Sequence, residues 1–399
     1  MSDTNSNPNQ PRLLSFTLDG GTALGGQISV SLQNRVVVLV GRNGAGKSAI
    51  LECFKAISSI ATSETTRKTS ILQISTPQIL KIEISTPTDR RLEYMYKSIL
   101  LDTSTNENEV KPSFSWDDRC QYLDGEKELL WTTENGVTTF ENGGNPIITV
   151  LGNTSSLQRT TLPENSPVKL PVEMQWIRAA LNEVHLLGKS PVRETLERNQ
   201  SILITSNNKL IGHELELADK LSRKIFHLMK TDKLYELEGV CQRVGIGNKI
   251  TVQDLFPPSI LREDVERTDY ISLVLLDGVN IGFLSDGTLR ILAILIELIN
   301  LNPSTTIIIE EPETQIHPGM LAKLLNEIEA YTFEKNLILS THSPQVVAWT
   351  SPENINLVHR KDGQTFVRKL GEDEIHNVIE YISDEGDLGE WIYSGILDE

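Results

Sequence analysis

Hydrophobic and polar positions follow three regimes along this chain. Leu13–Leu18 and Gln27–Leu32 alternate loosely, and Arg35–Val40 is a β-branched run ending at a glycine, which predicts three strands. Lys47–Ser58 then switches to helical spacing. From about Ser70 to Leu151, short β-favouring runs alternate with turns: Ile71–Ile74, Ile79–Ile84, Leu129–Thr133, Val137–Phe140 and Ile147–Leu151. The pairs Asn135-Gly136 and Asn142-Gly143 predict hairpins there. Val172–Gln242 has apolar residues three and four apart and little Gly or Pro, as helices do. From Thr268 strand and helix alternate again: Ile271–Leu276, a helix over Gly287–Asn300, Thr305–Ile309, a helix from Pro318 to about Tyr331, and Leu337–Ser340.

The pattern predicts an α/β core split in sequence, with one lobe over 13–65 and the other over 266–370. Between them lies an insertion over 66–265, β-rich to about 155 and helical over about 172–245. Residues 1–12 read as a disordered tail and 371–399 as an acidic C-terminal segment. There is no internal repeat, and no heptad run is long enough for an extended coiled-coil arm.

Composition narrows the classes. The 399 residues are 39% apolar, ample for a large core. No stretch approaches the ~20 apolar residues of a membrane helix, so no membrane partner is expected. Met1–Arg12 lacks the apolar segment of a signal peptide. Three cysteines without CxxC spacing argue against a disulfide framework or zinc site and fit a cytoplasmic location. The net charge of −17 repels nucleic acid from the chain as a whole but leaves room for a local basic groove. Residues 371–399 hold ten Asp or Glu and no Lys or Arg, a solvated surface or a docking face for a basic partner.

Chemistry enters at Gly41-Arg42-Asn43-Gly44-Ala45-Gly46-Lys47-Ser48, a GxxxxGK[ST] pattern between a predicted strand and a predicted helix. Glycines there let successive N–H groups turn inward onto a phosphate, at a helix start whose dipole favours anions. Lys47 is placed to reach β- and γ-phosphate oxygens, and the Ser48 hydroxyl to ligate Mg²⁺. Thr305–Glu311 is a hydrophobic strand ending in two carboxylates: the first, Glu310, fits a Mg²⁺ ligand and the second, Glu311, a group polarising the attacking water. Leu284-Ser285-Asp286-Gly287-Thr288 opens a helix and could grasp a phosphate, although such a turn is also an ordinary N-cap. His342, after the next strand, stands where a γ-phosphate sensor would.

Together the P-loop, LSDGT, IIIEEPETQIHP and the strand-end THS resemble the ABC/SMC superfamily of ATPases. SDGTLRILAIL and EEPExxxHP are most similar to the OLD-like "AAA family ATPase" branch, frequent in bacterial antiphage systems. The resemblance implies a P-loop NTPase of ABC/SMC-head type with a mixed core sheet. It implies that Asn43, Gly44, Ala45, Gly46, Lys47, Ser48 and Ala49 hold ATP, and that Ser48 and Glu310 hold Mg²⁺. Glu311 would be the catalytic base, His342 the switch histidine, and His317 part of the D-loop equivalent. Ser285 and Gly287 would reach a partner's nucleotide in trans, which requires a homodimer or higher homo-oligomer. The signature reads LSDGT rather than LSGGQ, Glu310 replaces the usual Asp, and no Q-loop glutamine can be placed. Only 57 residues follow His342, too few for the Toprim domain of OLD nucleases.

These readings lead to a slow regulatory ATPase controlling a separate effector, a nuclease or toxin, in antiphage defence. Two alternatives stay open. One is a DNA-maintenance ATPase using the cations Lys220, Arg223, Lys224, Lys230 and Lys233 on one helix. The other is an ATP-gated scaffold with little turnover.

Overall fold

A computed structural model describes residues 10–19, 24–62, 79–106, 109–125, 128–134, 137–141, 147–150, 157, 170–182, 184–187, 202–204, 217–255, 270–302, 305–383 and 392. The chain forms two compact units. One comprises Met1–Leu186, Asn302–Glu310 and Glu334–Glu399; the other comprises Leu187–Leu301 and Glu311–Phe333.

The first unit is built on two sheets. Its elements begin with β1 (Arg12–Asp19), β2 (Ile28–Ser31), β3 (Val36–Val40) and helix α1 (Lys47–Thr62). Then come β4 (Ile79–Ser85), β5 (Arg91–Asn106), β6 (Glu109–Tyr122), β7 (Leu129–Glu134), β8 (Val137–Phe140), β9 (Ile147–Val150), helix α2 (Val172–Asn182) and β10 (Val184–Leu187). An eight-stranded antiparallel sheet runs β2-β1-β4-β5-β6-β7-β8-β9, so the strands expected as an insertion continue the sheet begun by β1 and β2. Its inner face carries Phe16, Leu80, Ile82, Tyr94 and Trp131, all buried. Phe16 stacks on Phe54 of α1 with ring centroids 4.1 Å apart, fixing the helix against the sheet. The Ile71–Ile74 strand and the turns at Asn135-Gly136 and Asn142-Gly143 fall outside the described residues.

The second unit contains β11 (Ile202–Ile204), helices α3 (Leu217–Lys230) and α4 (Leu234–Val244), strands β12 (Ile250–Leu255), β13 (Tyr270–Leu276) and β14 (Val279–Asn280), and helix α5 (Asp286–Ile299). Strands β11 and β12 flank β13 antiparallel, and β14 folds back on β13 through Asp277-Gly278. The apolar stripe of α5, from Ile291 to Ile299, is buried among α3, α4 and a later helix, α6 (Pro318–Thr332). Arg243 of α4 grips Glu327 of α6 through two bonds of 2.6 and 2.9 Å.

The chain crosses back into the first unit as β15 (Thr306–Glu310), and again after α6 as β16 (Asn336–Thr341), helix α7 (Pro344–Trp349), β17 (Ile355–Lys361), β18 (Gln364–Lys369) and helix α8 (Glu372–Ser383). These strands complete the second sheet, ordered β10-β15-β16-β3-β17-β18. Strands β15, β16, β3 and β17 are mutually parallel, and β18 pairs antiparallel with β17. The central strands are buried along their whole length except at Glu310 and the first residue of β3, as a parallel sheet covered on both faces requires. Among the described residues no helix is long and apolar enough to cross a membrane.

Candidate functional site

Register decides what meets at the sheet edge. Glu310 pairs with Ser340, and Thr341 pairs with Val40, so β15, β16 and β3 end level with one another. Their carboxyl ends therefore deliver Glu310, the Thr341-His342 corner and the Gly41–Ser48 loop to one edge, where ligands of open parallel sheets bind.

The loop is shaped by its glycines. Gly44 and Gly46 have φ of +81° and +104°, which point amides into the loop rather than along a strand. A Cβ on Gly44 would meet nothing within 4 Å, whereas one on Gly46 would stand 2.4 Å from Thr365 Oγ1 of β18. Strand β18 is thus packed against the loop from behind. Ala45 is buried, while Asn43, Gly44 and Ser48 are exposed and Gly46 and Ala49 are intermediate. Lys47 is buried, with 5% of its surface accessible, and its Nζ donates to Gly41 O at 2.6 Å and Arg42 O at 3.1 Å. The ammonium is held over the loop mouth by backbone carbonyls, which a phosphate oxygen can replace at little rearrangement.

The donor set fits a magnesium nucleotide. An exposed hydroxyl, Ser48, stands at the start of α1 and a half-buried carboxylate, Glu310, at the end of the strand two places away in the sheet. Ser48 and Glu310 would hold Mg²⁺ there, and the ion would supply positive charge to offset that of the phosphates. His342 is exposed at the corner after β16, followed by a tight turn in which Ser343 N donates to Thr341 Oγ1 at 2.9 Å.

The second unit carries the other candidates. Ser285 caps α5, accepting from Thr288 N at 3.2 Å, and remains exposed. The capping role and an anion-binding role use the same orphan amides. Gly287 is buried because the 311–317 segment crosses it: a Cβ there would lie 2.2 Å from Gln315 O. Glu311 has a left-handed backbone (φ +45°), and its carbonyl accepts from Arg290 Nη2 of α5 at 2.8 Å and from Thr314 N at 3.0 Å. Thr314 Oγ1 also donates to Glu311 Oε2 at 3.4 Å. His317 caps α6, its Nδ1 accepting from Gly319 N at 3.2 Å. Arg290 and Thr314 were not among the residues expected from sequence. A signal for Arg290 existed, as it is the lone cation in the apolar run Leu289–Ile296.

Other chemistry finds no support. Cys53, Cys120 and Cys241 are all buried, and burial pushes their thiols up, to about 11 for Cys53 and about 12 for Cys241, away from a reactive thiolate. No cluster of metal-ligating side chains occurs among the described residues. Of the helical cations, Lys224 is engaged with Glu297 and Lys233 donates to Ile299 O at 3.1 Å. Lys220, Arg223, His227 and Lys230 are exposed along one stripe of α3.

Comparison with known proteins finds similarity of residues 252–348 to a family described as "AAA domain, putative AbiEii toxin, Type IV TA system". That segment runs from β12 to α7, through the signature helix, the Glu310-Glu311 pair and His342. No curated protein matches the chain. Among solved structures, an Smc head domain with an extended coiled coil from Pyrococcus furiosus, bound to the C-terminal domain of ScpA, aligns at 12% identity and TM-score 0.44. It covers 94% of this chain and 100% of its own. An SMC head bound to the C-winged helix domain of ScpA aligns at 13% identity and TM-score 0.42, covering 91% and 99%. The SMC head domain from Thermotoga maritima aligns at 13% and TM-score 0.38, covering 90% and 99%. The strand order and the loop at the end of β3 give an α/β fold with a glycine-rich loop at the carboxyl edge of a largely parallel sheet.

Proposed function

We propose that this protein is a slow regulatory ATPase, which pairs with a second copy around ATP and controls a separate effector protein in antiphage defence. One observation carries the ATPase reading: three adjacent parallel strands end level, presenting the glycine loop, Glu310 and the Thr341-His342 corner together. In this reading Asn43–Ala49 cradle the phosphates and Lys47 leaves its carbonyl perches for the β- and γ-oxygens. Glu311 orients the attacking water and His342 senses the γ-phosphate. The α5 terminus, with Ser285 exposed and Gly287 buried behind it, faces the nucleotide of the second copy. Defence and effector control rest on the likeness of residues 252–348 to a toxin-associated domain.

The test is native mass spectrometry of Glu311→Gln with MgATP, beside steady-state hydrolysis. A nucleotide-loaded species of twice the chain mass, with hydrolysis stalled, supports the reading. A monomer that turns ATP over normally overturns it.

A second reading, direct DNA binding, is favoured by the exposed cations Lys220, Arg223, His227 and Lys230 along α3, since spacings of three and four residues align them on one helix face. ATP-dependent retention of duplex DNA, falling steeply with salt and lost in a Lys220→Glu/Arg223→Glu/Lys230→Glu variant, would establish it.

A further inference from the structure

Helix α5 makes two contacts with the segment that begins at Glu311. Its first turn is in backbone contact with Gln315, where only the missing side chain of Gly287 lets the chains approach. One turn further on, the buried guanidinium of Arg290 donates to Glu311 O at 2.8 Å. Between these contacts the segment holds two non-glycine residues at positive φ, Glu311 at +45° and Gln315 at +64°. Such residues store backbone strain, and persist where neighbours over-determine them. The neighbours here are Arg290 at one end and the glycine contact at the other.

We infer that Arg290 is a positioning residue for Glu311: its bond to the Glu311 carbonyl holds the left-handed backbone from which the carboxylate is aimed. This rests on the proposed role of Glu311 as the group that orients water. The same bond makes Glu311 follow the helix that carries Ser285 and Gly287, because Arg290 lies one turn behind them on α5. A displacement of the signature end is thereby delivered to the catalytic carboxylate of the same chain. The Thr314 hydroxyl contacts Glu311 Oε2 at 3.4 Å, while Arg290 bonds the backbone beneath it.

The experiment uses the full chain with Arg290→Lys, Arg290→Met and Glu311→Gln, singly and combined, reading ATP affinity and kcat separately. Replacing the guanidinium by Met removes a charge-assisted hydrogen bond and should lower kcat about tenfold to a hundredfold. ATP affinity should stay within about twofold, since the bond of Arg290 is to the backbone of Glu311, which has no proposed part in holding phosphate. Lys, retaining one donor, should recover part of the rate. In the Glu311→Gln background neither substitution should lower residual hydrolysis further, because there is no catalytic carboxylate left to aim. Should Arg290→Met fail to fold, as judged by far-UV circular dichroism, the Arg290→Lys and Glu311→Gln pair still completes the cycle. Normal kcat in Arg290→Met beside stalled Glu311→Gln, or additive losses in the double variants, overturns the inference while leaving the ATPase reading intact. Normal hydrolysis by Glu311→Gln overturns both.

Discussion

Gly46 tests whether the phosphate loop is held by its own conformation or by the strand behind it. Replacing Gly46 with Ala adds a Cβ at φ +104°, outside the region L-residues occupy comfortably, for about 1–2 kcal/mol. That Cβ would also stand 2.4 Å from Thr365 Oγ1 and 2.8 Å from its Cγ2, in a site where Thr365 is fully buried. Overpacking of this kind costs about 1–3 kcal/mol. The expected loss for Gly46→Ala is therefore about 2–5 kcal/mol. Gly44→Ala meets open space at φ +81° and should cost only the backbone part, about 1–2 kcal/mol.

Thr365→Ala isolates the collision. It removes a hydroxyl without a hydrogen-bond partner and one methyl, so by itself it should cost about 1 kcal/mol or less. In the double variant only Cβ of residue 365 remains near, at 3.2 Å, and most of the overpacking should disappear. A coupling energy of about 1–3 kcal/mol is expected from the cycle. Trp131, Trp176 and Trp349 belong to the loop-bearing unit, so tryptophan fluorescence in urea reports its unfolding. Equal losses for Gly44→Ala and Gly46→Ala, or a coupling below about 0.5 kcal/mol, would refute the bracing argument.

Lys47→Ala should abolish ATP retention in equilibrium dialysis while the tryptophan transition persists, since its bonds to Gly41 O and Arg42 O lie within the loop itself. Arg243→Met removes both bonds to the buried carboxylate of Glu327 and should destabilise the second unit by about 1–3 kcal/mol, seen as a lower far-UV melting temperature. The hydrogen bond from Arg368 holds the Glu374 carboxyl below the usual range, so its stabilising effect is present above pH ~4.3 and lost as pH falls further. Glu374→Gln should therefore be less stable than the parent at pH 7, with the difference shrinking as pH falls below ~4.3, as measured by urea midpoints.

Elements whose local chemistry agreed with their tertiary role were legible in the sequence. Strand β3, the glycine loop and α1 form one such run, because a β-branched strand, a turn and a helical period follow without interruption. The same holds for β15, α6 and β16. Two longer strands escaped notice. In β5, Leu92, Tyr94 and Tyr96 alternate, but the intervening Glu93 is buried too, between Lys81 and Arg119. Charge on an inward position hides a period of two. The β17–β18 hairpin carried a readable signal, Asp362-Gly363 with φ of +50° and +81°, the form of a type I′ turn. It sits in a charged stretch, His359-Arg360-Lys361, that reads as a loop. The bracing of Gly46 by the Thr365 side chain and of Gly287 by Gln315 O was beyond any sequence period, since each joins residues distant in the chain.

The two acidic residues that end β15 belong to different units. Glu310 lies on the strand that shares its sheet with the glycine loop, whereas Glu311 begins the segment packed on α5. With the proposed roles, holding the metal ion falls to a residue of the first unit and activation of water to its neighbour in sequence, a residue of the second. In this reading Glu311 and Arg290 of the second unit act on rate, beside Lys47 and His342 of the first. Inputs to α3, α4 or the β12–β14 sheet can reach kcat through α5 and Arg290 without touching a phosphate contact. Such a division suits a protein that must stay loaded until a signal arrives. It also sets a demand on any activator: one acting on the second unit should raise kcat and leave ATP affinity unchanged. An activator that instead tightened ATP binding with kcat constant would have to work through the glycine loop, and the partition argued from Glu310 and Glu311 would fail.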